Sequence, residues 1–401
     1  MIERYQYNTF APKSNIIDII YNFCIALLPV LCLLNVPVLN ISFGTVILLV
    51  FIPHALVFAL RYTIQRDLCI AVFLFFLFYL YLALRADGSL VRVVLCMATF
   101  INLWGIVSGS IDSDKIRRTI EVFALINAIL ILLQVLCYYG FHYKIQYIPQ
   151  SLIHSSFQDS YVFRENSGLY RPSALFLEPA HYAQYCCFAL ISALFPNKGK
   201  VNVKKTVLIA LGCILTTSGM GIMLTFGILA WYFFAKSKGR WLSGIIKLMP
   251  AIIIGTIVLL QIPFVQTALQ RVFSNVDGYN AITGRTKQWH NAIGPMRKGV
   301  LWFGYGDSAN YPYYLAGLAD TIYKYGLLGA LLEFCCFVFL MHKQHKHYVW
   351  CCSVVFFLLF CFAHLTSFSV QVFYLGIVAA DVSCSINQTQ VVVNGRKAYN
   401  P

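Results

Sequence analysis

The sequence predicts an all-α fold: a polytopic bundle of membrane-spanning helices with two long loops at one surface. Three observations carry this. Hydrophobic residues make up 59% of the 401 positions and charged residues only 11%, with mean hydropathy +0.71, whereas a soluble domain has roughly a quarter charged residues. The apolar residues fall into runs of roughly 20, the length that crosses a hydrocarbon core. Two polar stretches, 140–177 and 263–318, interrupt that rhythm.

Taken in order, the apolar runs are 16–36, 38–60, 68–84, 91–107, 119–139, 179–195, 205–217, 220–235, 244–262, 319–340, 349–365 and 368–384. That is about twelve spans in a single transmembrane domain covering 1–401. The first run follows a weakly charged leader without a cleavage signal, so it is expected to stay as an anchor. Thr216-Thr-Ser-Gly-Met-Gly221 reads as a break between two short spans at the outer surface.

The net charge of +15 comes from 30 Lys+Arg against 15 Asp+Glu. Most basic clusters, among them Lys115, Arg117 and Arg118, fall in short connections that share one side when the N-terminus is inside. Cytoplasmic loops of membrane proteins carry such an excess. The expectation is therefore a multi-pass membrane protein with both termini cytoplasmic and both long loops outside. No soluble basic domain accompanies the charge, which argues against a nucleic-acid partner. The fourteen cysteines lie in or beside apolar runs without a CxxC, so they read as small hydrophobes, with neither disulfides nor a metal site expected.

The outer loops hold the anomaly. Arg164, Arg171, Arg271, Arg285 and Arg297 lie there with few acidic partners, and arginine grips phosphate oxygens in pairs at any physiological pH. Arg171 opens the stretch Arg171-Pro-Ser-Ala-Leu-Phe-Leu-Glu-Pro-Ala-His-Tyr-Ala-Gln184. Pro179 suits a first helical turn, where its missing amide costs nothing, which puts Glu178 at the helix N-cap beside the positive end of the dipole. Glu178 has two readings, a carboxylate that orients Arg171 and caps the helix, or a general base. His181, one turn on, is the other candidate base. Asp112-Ser-Asp114 imitates a metal-binding DxD, but its short connection fits a helix N-cap better. Glu333 and Asp381 lie inside spans, where helix–helix hydrogen bonding toward the inner side is expected.

Arg171, Ser173, Phe176, Glu178, Pro179 and Ala183 resemble the signature that opens a middle helix in bacterial O-antigen and capsular polysaccharide polymerases of the Wzy type and in related ligases. Gly284-Arg-Thr-Lys-Gln-Trp289, Phe303-Gly-Tyr-Gly-Asp307, Tyr325-Gly-Leu-Leu-Gly329 and the 216–221 break follow in the family's order. The likeness covers most of the chain after about Phe100; the earlier runs match by hydropathy alone. It implies a membrane glycosyltransferase that moves a growing glycan from undecaprenyl pyrophosphate to a new lipid-linked repeat unit at the periplasmic face. It implies no cofactor and no metal.

The partners implied are the two undecaprenyl-pyrophosphate-linked oligosaccharides, membrane lipids, a chain-length regulator and a flippase. The catalytic set expected is Arg171 and Arg285 at the pyrophosphate, with Glu178 and His181 for proton transfer. Arg271, Arg297, Trp289, Asp307, Tyr313 and Tyr314 form the substrate-binding set. Ligases of this superfamily usually carry His-Asn shortly before the last Gly-x-x-Gly helix. Here that place is Tyr314-Leu315 and the nearest upstream histidine is His290, which favours the polymerase. The alternatives are the ligase, acting on lipid A core, and a lipid-linked oligosaccharide flippase, which would show shorter outer loops and more charges inside its spans.

Overall fold

A computed structural model describes residues 15–36, 41–61, 66–153, 170–196, 200–236, 266, 281–309, 311–312, 315, 317–342, 347–362, 368 and 370–381. The described chain is a helical bundle. Its helices are α1 (Ile16–Leu31), α2 (Phe43–Val50), α3 (Ile52–Arg61), α4 (Arg66–Leu84), α5 (Leu90–Val107), α6 (Ser113–Phe141), α7 (Pro179–Leu194), α8 (Val203–Leu215) and α9 (Gly219–Lys236). They continue as α10 (Ala281–Ile293), α11 (Lys298–Phe303), α12 (Leu318–His342), α13 (His347–Phe362) and α14 (Val370–Asp381). A two-stranded antiparallel ribbon, β1 (Asn35–Val36) with β2 (Ile41–Ser42), links α1 to α2.

By length and composition α5, α6, α9 and residues Leu318–Leu340 of α12 can each cross a membrane, and the bent pair α2–α3 makes a fifth if counted as one span. Shorter apolar helices are Ile16–Leu31, Leu68–Leu84, Cys351–Cys361 and Val370–Asp381; the expected spans 179–195 and 205–217 are the helices α7 and α8, and 244–262 lies outside the described residues. Two expected spans need correction. The run 38–60 is not one helix but two, bent by 40° around Phe51. Pro53 in the first turn of α3 cannot donate to the preceding turn and its ring crowds the carbonyl four residues back. The run 16–36 stops being helical at Leu31, where the chain turns into the ribbon.

α7 is the hub. Almost every residue from Tyr182 to Leu194 is buried, and a helix apolar all round belongs inside a bundle. It packs on α6, α8, α9 and α13, while α12 packs on α4 and α13. Asp112 caps α6 as expected, accepting from Asp114 and Lys115 amides at 3.0 and 3.2 Å. Arg117, read above as a cation of a short inner connection, is instead a buried residue of α6. Its Nε donates to Ser192 Oγ at 3.1 Å and its guanidinium lies 3.7 Å from the Tyr348 ring centroid. Glu121 accepts from Lys205 and Ser192 in the same neighbourhood, and Asp381 accepts from Ser113. At this end of the bundle Lys205 and Glu121 form an ion pair, and Arg117 and Asp381 are met by hydroxyls and a ring, since a buried charge is tolerable only when it is paired or hydrogen-bonded.

Candidate active site

The signature loop enters α7 as the sequence suggests. Glu178 is the N-cap residue with extended backbone (φ −125°, ψ 145°), and its carbonyl accepts from the amides of His181 and Tyr182. Its carboxylate makes no capping bond. Pro179 fills the first helical position. Arg171, Glu178 and His181 are all half-buried along one short stretch. Ser173, Phe176 and Leu177 between them are fully buried.

What fixes this loop is two amides from the middle of α6. Gln134 Oε1 accepts from the Ser173 and Ala174 amides at 3.2 and 2.9 Å, while its Nε2 donates to the Ile145 carbonyl at 3.0 Å. Asn127 Oδ1 accepts from the Leu175 amide at 3.1 Å. Both side chains are buried. The clamp holds Ala174 at φ +48°, a left-handed conformation that costs a non-glycine residue about 1–2 kcal/mol. Tyr170 stacks on Tyr138 at 4.3 Å, closing the upstream end. Gln134 and Asn127 were not legible as functional residues, although a polar amide in an apolar run is a signal, since it must find partners inside the bundle.

The 216–221 break lies against the signature helix. A Cβ placed on Gly221 would overlap Ala183, and one on Gly212 would overlap the Tyr182 hydroxyl. Thr216, Thr217 and Ser218 are buried. Thr217 is left-handed at φ +55°, and Thr216 Oγ1 closes the end of α8 on the Cys213 carbonyl at 2.7 Å. The starts of α7 and α9 therefore lie side by side, which joins two motifs far apart in the chain.

The second block is built differently. Gly304 (φ 73°, ψ 179°) and Gly326 (φ 71°, ψ −177°) occupy a backbone region open essentially to glycine. Each lies where a Cβ would run into the other segment, Gly304 against Lys324-Tyr325 and Gly326 against Trp302-Phe303. The strap 304–306 pairs with this kink in α12, the Tyr305 and Gly306 amides donating to Tyr323 and Lys324 carbonyls at 2.9 Å. Asp307 is engaged, its carboxylate 2.7 Å from Arg92 Nε and accepting from the Tyr325 hydroxyl. Its amide donates to the Arg85 carbonyl at 3.1 Å. Arg85 Nη2 donates to the Gly304 carbonyl at 2.9 Å, and Tyr81 OH donates to the Tyr325 carbonyl at 2.7 Å. Asp87 Oδ2 accepts from Ser308 N and Oγ at 2.9 and 2.8 Å. These bonds hold the Asp87 carboxyl below its ordinary 3.8, the Ser308 amide most of all. Tyr81, Arg85, Asp87 and Arg92 come from the part of the chain that resembled the family by hydropathy alone.

Of the other expected residues, Trp289 packs with Tyr311 around Ala292, Leu315 and Ala319. Arg297 is exposed at the N-cap of α11. Arg285 belongs to α10, but its side chain lies outside the described residues, as do Arg271, Tyr313 and Tyr314 entirely. Glu178 and His181 share the start of α7 and Arg171 lies on the loop that leads into it, and separately Asp307 meets Arg92 and Tyr325. α10, which bears Arg285 and Trp289, rests on α12, whereas α7 rests on α6, α8, α9 and α13.

An apolar helical bundle with a clamped Arg–Glu–Pro loop at the mouth of its central helix defines the class, a multi-helix membrane protein with a polar site at one end. Comparison adds a partial family likeness. Residues 206–325 match the family model described as O-antigen ligase, and this supports placing the chain in the O-antigen polymerase/ligase superfamily, which its motifs resemble. The matched segment runs from α8 through the 216–221 break and the strap to the kink in α12. No curated protein matches the sequence.

Proposed function

We propose that the protein is a polysaccharide polymerase of the inner membrane. It transfers a growing glycan from undecaprenyl pyrophosphate to the next lipid-linked repeat unit at the periplasmic face, with both termini in the cytoplasm. The observation that carries this reading is the loop from Arg171 to Glu178, clamped by Gln134 and Asn127 at the mouth of α7 and beside a break that belongs to the family segment. Holding an arginine and a carboxylate this firmly at the end of an apolar bundle is costly unless they act there.

The chemistry needs little beyond placement and charge. The acceptor hydroxyl oxygen forms a bond to the anomeric carbon of the donor glycan as the bond from that carbon to the pyrophosphate oxygen breaks. The electron pair leaves with undecaprenyl pyrophosphate, and Arg171 and Arg285 stabilise its charge. Fixed donors aimed at developing charge contribute on the order of 3–4 kcal/mol each. The acceptor proton passes to Glu178 or to His181, both on the same helix start and within one turn of each other. Arg271, Arg297, Trp289, Tyr313 and Tyr314 complete the substrate-binding surface, with a flippase and a chain-length regulator as partners. A second reading, the ligase, is favoured by the description of the matched family.

One reconstitution separates them. The purified protein in lipid nanodiscs receives lipid-linked repeat units alone. A polymerase gives a ladder of lengthened glycans, and Arg171→Ala abolishes it. Product formed only when lipid A core is added identifies the ligase, and an unchanged ladder in Arg171→Ala removes the site assignment.

A further inference from the structure

A second polar network lies outside the signature loop. It joins the turn between α4 and α5 to the strap that follows α11. Asp87 (φ 49°) and Gly88 (φ 79°) are successive left-handed residues, the backbone of a tight reversal that Asp-Gly accommodates, and this turn presents the Asp87 carboxylate to the Ser308 amide and hydroxyl. A Cβ on Gly306 would overlap that same carboxylate, so the strap is pressed onto the turn. One helical turn into α5, Arg92 reaches Asp307. From the last turn of α4, Tyr81 reaches the carbonyls of Phe303 and Tyr325 at 3.3 and 2.7 Å, and just beyond it Arg85 reaches Gly304. Asp307 is largely buried, with 9% of its side chain exposed, and both its oxygens are engaged. A carboxylate bonded on both oxygens is a fixed point rather than a ligand-seeking group.

We propose that Tyr81, Arg85, Asp87 and Arg92 form a clasp that positions the second outer loop for glycan transfer. α10 and α11 rest on α12, and the strap ties their downstream end to α4 and α5. Arg92 and Asp307 act as positioning residues, through α11 and α10, on the groups those helices carry toward the substrate. This rests on the polymerase reading for its functional part, while the mechanical part stands alone. Tyr81, Arg85, Asp87 and Arg92 lie before residue 100 and outside the matched family segment, which contains the strap they hold, so the first spans of the chain do more than fill the bilayer.

The test uses the full chain in lipid nanodiscs with two readouts. Hydrogen exchange measures peptides from 298–309, and elongation of lipid-linked repeat units gives kcat and KM. Arg92→Ala and Asp307→Asn are expected each to speed exchange across 303–309 by about tenfold, the scale set by breaking a charge-assisted contact, while peptides from α7 stay unchanged. The double variant should be no faster than the worse single, because both changes break one contact. Elongation should lose kcat more than it raises KM. Arg92→Lys should recover both readouts in large part, because a single nitrogen of Arg92 meets Asp307. Asp87→Asn, at an exposed position, should loosen the strap without threatening the fold. Unchanged exchange in Arg92→Ala, Asp307→Asn and Asp87→Asn overturns the clasp, and a loosened strap with unchanged kcat overturns the positioning role. A wild-type protein that elongates nothing removes the polymerase reading but leaves the exchange result to decide the clasp.

Discussion

Gln134→Leu tests whether α6 holds the signature loop. Gln134 is 1% exposed and makes three bonds that no neighbour can replace: two accepted from the Ser173 and Ala174 amides and one donated to the Ile145 carbonyl. Leucine fills similar volume and leaves all three partners unmatched. Each buried orphan costs about 1–3 kcal/mol, so the three together come to on the order of 3–9 kcal/mol, partly offset by burial of the leucine. Releasing Ala174 from its left-handed conformation returns about 1–2 kcal/mol to the loop and makes rearrangement the favoured response. A net loss of about 3 kcal/mol corresponds to roughly 10²-fold in the opening equilibrium. Hydrogen exchange in peptides covering 170–178 should therefore quicken by about that factor, and glycan elongation should fall to near background as Arg171 loses its place. Gln134→Glu keeps the acceptor for both amides and should retain more protection than leucine. Native exchange in 170–178 together with normal elongation in Gln134→Leu would refute the reasoning, because it would mean the loop holds its shape without α6.

Further outcomes follow from the backbone and from charge. Ala174→Gly should stabilise the folded protein by about 1 kcal/mol, since glycine meets no steric cost at φ +48°; a lower midpoint in thermal denaturation would count against the assigned conformation. Gly326→Ala should cost about 3 kcal/mol or more, because the new Cβ meets the Trp302 carbonyl in a region of backbone space closed to alanine. Gly299→Ala, with nothing within 4 Å of its Cβ in α11, should be neutral or stabilising by up to about 1 kcal/mol, and yields of folded protein compare the two. The Asp87 carboxyl lies below its ordinary 3.8 because the Ser308 amide and hydroxyl favour its charged form. Its contribution to holding the strap is therefore fully present above about pH 4 and is lost as acid takes the pH down through the folded value. Exchange across 303–309 should quicken below that point in the native protein and show no such step in Asp87→Asn.

Much of the site's first half was readable from residue chemistry. Pro179 after Glu178 placed the N-cap, the Gly-rich 216–221 segment marked the break, and Asp112 proved to be the cap it resembled rather than half of a metal motif. Those are local effects, set by which amides lack partners at a helix start. The register of long-range contacts was not readable. Arg85 and Arg92 carried no signal in the sequence, and Asp307 looked like a residue waiting for substrate. They meet only because a kink at Gly326 lets one backbone cross another at glycine distance. Arg117 was misplaced for the same reason, since a basic residue near a helix start reads as loop charge until a ring and a hydroxyl from distant helices cover it.

The sequence by itself determined that the described chain is mostly apolar helix, where α6 and α7 begin, and which arginine-bearing stretches stand out from the membrane pattern. Hydropathy, proline, glycine and capping chemistry act over a few residues, so a one-dimensional reading suffices. The tertiary structure alone decided that α7 is the hub, that Gln134 and Asn127 hold the Arg171–Glu178 loop, and that the first helices grip the second loop. Those facts depend on which polar groups in an apolar bundle find one another across hundreds of residues, and no local pattern encodes the partner of a buried amide or carboxylate.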